Sequence, residues 1–267
     1  MPLLKFLVNL IKMTTLSYVL VCISLFALQR SLIYYPQPSQ INTPGSSLKI
    51  PITEGELHIS VRQSNSPKAL IYFGGNAEDV SLNLPNFSQA FPDYAIYLLH
   101  YRGYGQSSGA PSEQVIQQDA LALFDQVYAK QKDITIIGRS LGSGVAVQVA
   151  SQRPASKLIL ITPYDSLEEV AAFHYPYIPV SLLLLDKYES WRYAPQIAIP
   201  TLILAAEQDN VIPRANTEKL YSHFKNGLAL FKVLANTNHG TISQSSQYLP
   251  LLTGFMKKID GINNQRR

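Results

Sequence analysis

Hydrophobic residues in this chain gather into short runs whose spacing changes from one stretch to the next, and those changes predict the elements. Residues 69–73 (ALIYF), 94–100 (YAIYLLH), 134–137 (ITII), 157–161 (KLILI) and 229–234 (ALFKVL) are mostly apolar, rich in β-branched, aromatic or leucine side chains, and too short for helices. The head of 201–213 (TLILAAEQDNVIP) reads the same way. Such runs predict strands, and those at 69–73, 134–137 and 157–161 read as buried. Residues 56–62 (ELHISVR) alternate apolar and polar positions instead, which fits a half-exposed strand. Between the strands lie stretches with helical spacing: 112–130, headed by Ser112 and Glu113, the VAVQVA run at 145–150, and 214–224. Strand and helix alternate, which predicts an α/β fold whose mostly parallel central sheet is flanked by helices.

Three stretches break that rhythm. The uncharged run 13–29 (MTTLSYVLVCISLFALQ) rises to about 25 Å as a helix, against a hydrocarbon core of about 30 Å. Lys12 and Arg30 bracket it and can reach outward to close the difference. The run exceeds a signal-peptide core, and Cys22-Ile-Ser24 makes a poor cleavage site, so an uncleaved transmembrane anchor is expected, with a cleaved signal and a secreted domain as the alternative. Residues 31–53 carry Pro, Gly and Ser between small apolar patches and predict a lead-in with little helix. Residues 173–188 (FHYPYIPVSLLLLDKY) mix aromatics, prolines and consecutive leucines. They fit either a small cap whose apolar surface lines an acyl pocket or rests on lipid, or a helix packed on the core.

Composition narrows the class. With 267 residues, 46% hydrophobic and only 15% charged, the chain has enough apolar material for one well-packed domain plus an appendage. A net charge of +4 without a basic stripe or a recognised module excludes a nucleic-acid binder. Cys22 is the single cysteine, so no intrachain disulfide forms. Lys5 and Lys12 before the apolar run, against Arg30 after it, place the N-terminus in the cytoplasm and the domain outside it. The expected plan is an anchor at 1–30, a main domain at 31–262 with the cap near 165–190, and a polar basic tail at 263–267.

Candidate chemistry centres on Ser140. Gly138-Arg139-Ser140-Leu141-Gly142 lies between a buried-strand run and a helix, and a serine at the apex of such a turn points its hydroxyl into open space. The run 69–73 ends in Gly74-Gly75-Asn76, where backbone amides can be reached. In a serine hydrolase of this layout, that loop and the residue after the nucleophile each donate one N–H to a developing oxyanion, so Asn76 and Leu141 are the expected donors. Asp209 follows one strand, where an acid can orient a histidine, and His239 follows the last. Asp165 and Asp186 are rival acids, and His174 and His223 rival bases, in positions better suited to packing or surface roles. His58 is read as a polar-face residue, His100 as a packed strand-end residue, and Arg102 as a partner for a carboxylate within the fold. The glycines after residue 100 do not make a dinucleotide site, because Ser108 stands at the third small position and Ala110-Pro111 follows where the phosphate-binding helix should begin.

With Ser140, Asp209 and His239 in the order nucleophile, acid, histidine, the chain resembles the α/β-hydrolase family over about residues 30–260. It is most similar to the membrane-anchored α/β-hydrolase-domain (ABHD) serine hydrolases and their bacterial relatives, through LQRSLIYYPQ, FGGNAED, YRGYGQSSGAPSE, GRSLGSGVA, EQDNVIP and NHG. The resemblance implies ester or thioester hydrolysis through an acyl-enzyme on Ser140, a small-molecule or lipid acyl substrate, and no metal or organic cofactor. A serine aminopeptidase and a catalytically silent binding module are the alternatives. One departure stands out: Gly74 occupies the place of the family's usual histidine, which predicts a looser oxyanion loop.

Overall fold

The computed structural model describes residues 2–40, 46–53 and 55–265, with side chains to residue 261. It opens with one apolar helix, α1 (Pro2–Ile33), long and apolar enough by length and composition to cross a membrane. The helix outruns the expected span at both ends. Of the lead-in, residues 41–45 lie outside the described residues, but the following stretch forms a strand, β1 (Ser47–Ile52), that the sequence reading did not anticipate. The reason is its place at the edge. It pairs with β2 (Gly55–Arg62) alone, an edge strand tolerates Pro51, and half of its side chains face solvent, so no strong apolar pattern marks it.

The remaining strands are β3 (Lys68–Phe73), β4 (Ala95–Leu99), β5 (Asp133–Arg139), β6 (Lys157–Ile161), β7 (Thr201–Ala206) and β8 (Ala229–Leu234). They form one eight-stranded sheet in the order β1-β2-β4-β3-β5-β6-β7-β8, antiparallel at β1-β2 and β2-β4 and parallel from there on. The half-exposed strand expected at 56–62 is β2, although it is more buried than the alternation suggested. Period-two alternation divides the core. Ile71, Ile134 and Ile136 pack on one face with Ile116 and Leu123 of α3 (Glu113–Tyr128) and Val145 and Val149 of α4 (Leu141–Gln152). Tyr72 and Ile137 point to the other face, with Phe87 of α2 (Leu84–Ala90) and Leu252 and Met256 of the long closing helix. The interiors of β3 to β7 are buried, as their apolar runs predicted, whereas β8 lies at the sheet edge and leaves Leu230 and Lys232 exposed.

Parallel strands run the same way, so β3, β5, β6, β7 and β8 end at one rim of the sheet, and every candidate residue sits on a loop leaving that rim. The register brings Phe73 beside Gly138 and Ala206 beside Leu234. Above the rim, the rhythm-breaking segment folds into two short helices, α5 (Leu167–His174) and α6 (Val180–Leu183), followed by an extended turn and α7 (Ser190–Tyr193), and α8 (Arg214–Ser222) then links β7 to β8. It is a cap of short pieces and not one helix packed on the core.

Candidate active site

The elbow at Ser140 arises from local chemistry and close approach. Ser140 has φ 50° and ψ −119°, a strained conformation for a residue with a side chain. Its backbone N–H donates to the Ile161 carbonyl of β6 at 2.9 Å, and its carbonyl accepts from Ser143 N at 2.8 Å and Ser143 Oγ at 2.6 Å. Glycine is required on both sides. A Cβ on Gly142 would lie 2.1 Å from the Phe73 carbonyl oxygen, and one on Gly138 would lie 2.4 Å from the Gly142 oxygen. The first two residues of the motif's helix therefore press directly against the end of β3, with the Leu141 N–H at the unsatisfied N-terminus of α4.

The structure brings Ser140, Asp209 and His239 together. His239 Nε2 is 2.9 Å from Ser140 Oγ, and His239 Nδ1 is 2.8 Å from Asp209 Oδ2 and 3.1 Å from Oδ1. Asp209 is held in turn: its Oδ1 accepts from the backbone N–H groups of Val211 at 3.0 Å and Ile212 at 2.8 Å. A carboxylate fixed by two amides through Oδ1 keeps both oxygens within reach of Nδ1, with Oδ2 the nearer, which favours the tautomer with the proton on Nδ1 and a lone pair on Nε2 facing the serine.

Residues 74–76 follow β3 directly and sit beside this group, since a Cβ on Gly75 would meet Ser140 Cβ at 3.7 Å. The loop is tied down from several directions. Glu78 Oε2 accepts the Gly75 N–H at 2.7 Å, and Oε1 accepts from Tyr72 Oη at 2.7 Å and Asn83 Nδ2 at 2.6 Å. Tyr101 Oη donates to the Gly74 carbonyl at 2.9 Å, Tyr104 Oη donates to the Asn76 carbonyl at 2.5 Å, and Asn76 Nδ2 donates to the Ile33 carbonyl at the end of α1 at 2.8 Å. Burial pushes both tyrosines up, Tyr104 to about 12, so they stay protonated donors. The looseness expected from Gly74 is thus offset by other groups: a carboxylate and two phenols do the ordering that an imidazole does elsewhere.

Glu78 and Arg139 are the residues the sequence reading missed. Arg139 Nη2 donates to the carbonyls of His239 at 3.3 Å and Gly240 at 3.4 Å, while Nη1 lies 3.7 Å from Glu78 Oε1. Burial opposes its charge, but Tyr72 and Glu78 beside it outweigh burial and push the guanidinium up. One side chain thereby joins the histidine loop to the loop of residues 74–76. The sequence signals were an acid four residues after Gly74 and an arginine immediately before the serine, neither of which has meaning until the two loops are adjacent.

The rivals fall elsewhere. Asp165 pairs with Asn216 at 2.8 Å and Lys219 at 2.8 Å, and Asp186 binds Tyr34 at 3.0 Å and Arg30 at 3.3 Å. His223 bonds its own helix through Nδ1 to the Lys219 carbonyl at 2.7 Å. His174 is closer to the site than expected, because it lies at the cavity wall with Nε2 2.9 Å from the Val211 carbonyl, but it faces the acid loop and not Ser140. Arg102 grips Asp119 in a fork at 2.9 Å for both bonds, and His100 is buried against Ser60 Oγ at 2.9 Å, as expected of both. Ser140 and His239 open into a cavity of about 430 Å³ between the rim, the cap and α1, within the roughly 300–1,000 Å³ usual for ligand sites. Its wall is apolar over most of its extent, with Val170, Ile178 and Leu184 from the cap.

Comparison with known proteins fits this architecture. A model described as the α/β hydrolase fold matches residues 68–179. An uncharacterised protein of Mycobacterium tuberculosis is 34% identical over 210 residues, covering 72% of this chain and 74% of that one. The lysophosphatidylserine lipase ABHD12 of Macaca fascicularis is 30% identical over 220 residues, covering 71% of this chain but only 55% of the lipase. Among solved structures, the Pyrococcus furiosus esterase Pf2001 superposes with a TM-score of 0.67 at 19% identity, covering 85% of this chain and 99% of the esterase. A relative sharing a third of its residues over most of both chains, the match to the α/β hydrolase fold and the agreement in overall fold make this chain a member of the α/β-hydrolase family.

Proposed function

We propose that this protein is a membrane-tethered serine hydrolase that cleaves an ester or thioester of a long-chain acyl group. The observation that carries this reading is the His239 imidazole within hydrogen-bond reach of both Ser140 Oγ, at 2.9 Å, and Asp209, at 2.8 Å. His239 Nε2 accepts the Ser140 proton as Oγ attacks the carbonyl carbon, and the imidazolium is balanced by Asp209. The tetrahedral oxyanion is held by the Leu141 and Asn76 backbone N–H groups, and each such donor is worth about 3 to 4 kcal/mol in the transition state. His239 then returns the proton to the leaving alcohol or thiol, and a water repeats the sequence on the acyl-enzyme to release the acid.

The apolar cavity supports an acyl chain as the occupant, and the relatives named as lysophosphatidylserine lipases support a lipid ester. An aminopeptidase is disfavoured, because none of the described residues lining the cavity is Asp or Glu and an α-ammonium group would meet no counter-charge. In domain terms, residues 1–30 serve as the anchor, with the N-terminus cytoplasmic and the hydrolase domain outside. Incubation with an alkyl fluorophosphonate is expected to label the wild type, and Ser140→Ala to abolish both labelling and ester hydrolysis. A folded wild type that stays unlabelled, or a Ser140→Ala protein labelled equally, would overturn the reading.

A further inference from the structure

The end of α1 is built into the site, and this goes beyond anchoring. Leu25, Gln29, Leu32 and Ile33 form one wall of the cavity that holds Ser140 and His239. The Ile33 carbonyl accepts Asn76 Nδ2 at 2.8 Å. Gln29, buried although it sits in an apolar helix, clamps the cap with both ends of its amide: Nε2 donates to the Leu183 carbonyl at 3.1 Å, and Oε1 accepts the Leu185 N–H at 2.7 Å. Arg30 and Tyr34 hold Asp186 of the same turn. Farther up the helix, Tyr18 Oη donates to the Tyr177 carbonyl at 2.7 Å. Tyr18 lies about 22 Å along the helix axis from Ile33, so the cap follows α1 for some four turns.

That seam has an unusual surface. Phe173 (64% exposed), Tyr175, Tyr177 (87%), Leu182 (81%) and Leu185 are exposed cap residues around the cavity, beside a helix whose apolar window is itself unburied. Exposed apolar side chains gathered in this way mark an interaction site, and beside a candidate membrane span the lipid is the apolar phase at hand to cover them.

We infer that α1 is a wall of the acyl pocket and that the pocket opens sideways, along the seam between α1 and the cap, into the same lipid layer that holds α1. The acyl chain of a membrane-resident ester slides in along Leu25 with its carbonyl arriving at Ser140, and the polar part of the substrate stays toward the rim. Chain-length preference is then set by residues of the anchor. This inference rests on the hydrolase reading above, and its test separates the two.

Full-length protein in phosphatidylcholine vesicles is assayed on p-nitrophenyl esters of four and sixteen carbons, with fluorophosphonate labelling as the measure of an intact site. Leu25→Trp, which fills the seam, is expected to lower the ratio of kcat/KM for the long over the short ester at least tenfold. Leu28→Trp, on the exposed side of the same helix, is expected to keep the wild-type ratio. Leu25→Ala, which enlarges the pocket without risk of overpacking, is expected to move the preference toward longer chains. Labelled Leu25 variants with the wild-type ratio, or Leu25→Trp and Leu28→Trp shifting it equally, overturn the inference and leave the hydrolase reading intact. If Leu25→Trp fails to label, the ratio in Leu25→Ala decides by itself. A wild type that is not labelled removes the hydrolase reading and this inference with it.

Discussion

Glu78 sits close to the proposed chemistry without facing the reacting atoms. Its carboxylate accepts from Gly75 N, Tyr72 Oη and Asn83 Nδ2, so it acts by positioning the loop that presents Asn76. Glu78→Ala leaves those donors unpaired, and a displaced oxyanion donor weakens the transition state more than the bound ester. The expected outcome is a fall in kcat on the order of tenfold or more with KM for a short ester little changed, counted per fluorophosphonate-reactive site, and partial recovery in Glu78→Gln, which keeps one acceptor. His100 provides a pH effect on stability instead. Burial pushes its imidazole down to about 4, from an ordinary value near 6.5. Above about pH 6.5 both folded and unfolded chains hold it neutral. As pH falls from there toward 4 the unfolded chain takes up the proton first, and stability declines by up to about 3 kcal/mol. Urea denaturation at pH 7 and pH 5 should show a smaller loss in His100→Gln than in the wild type.

The packed elements depend on a few long-range contacts as much as on their own patterns. Lys157, at the start of β6, is completely buried, and its ammonium lies 3.1 Å from Asp133 of β5 and 2.6 Å from Asp260 of α9 (Tyr248–Gln265). Burial opposes the charge on Asp260, but Lys157 and Lys68 outweigh it and hold the carboxyl below its usual range. Lys157→Met should cost about 3 kcal/mol by urea denaturation, since it removes the buried cation that Asp133 and Asp260 share and leaves Lys68 alone to face Asp260 at the sheet's far rim. The rim with Ser140 is remote from this cluster, so labelling by the fluorophosphonate should persist under native conditions. That helix also shows how a readable signal is overlooked. Tyr248, Leu252 and Met256 recur at a four-residue spacing and bury one stripe against the sheet, yet the sequence reading ended its elements at the loop carrying His239. Of the tail expected at 263–267, residues 263–265 continue α9 and the rest lie outside the described residues.

Taken together, the molecule couples a candidate span to a rim of loops through the cap. Arg30, expected to reach for water at the end of the span, is instead engaged with Asp186, which leaves Lys5 and Lys12 as the free cations flanking it among the described residues near α1. With two positive charges on that side, the N-terminus is expected to stay cytoplasmic. The full chain should therefore resist alkaline carbonate extraction from membranes, and its hydrolase domain should be cut by protease added outside intact cells whose outer barrier has been opened. Release by carbonate would remove the anchor, and protection from the protease would reverse the orientation.

The elbow around Ser140, the buried strands and the order of the acid and the histidine were legible in the amino-acid order, because strand, tight turn and helix signals act between neighbours a few residues apart. Edge strand β1 was not legible, since an exposed strand is held by its pairing and not by its own apolar pattern. Nor were Glu78, Arg139 or the wall formed by α1 assigned, because contacts such as Ile33 with Asn76 and Gln29 with Leu185 join segments far apart along the chain. A hydrogen bond of that kind exists only once the sheet has set the loops side by side and the cap has closed over them, so the identity of the proposed attacking group was written locally while the shape of its pocket was decided by the fold.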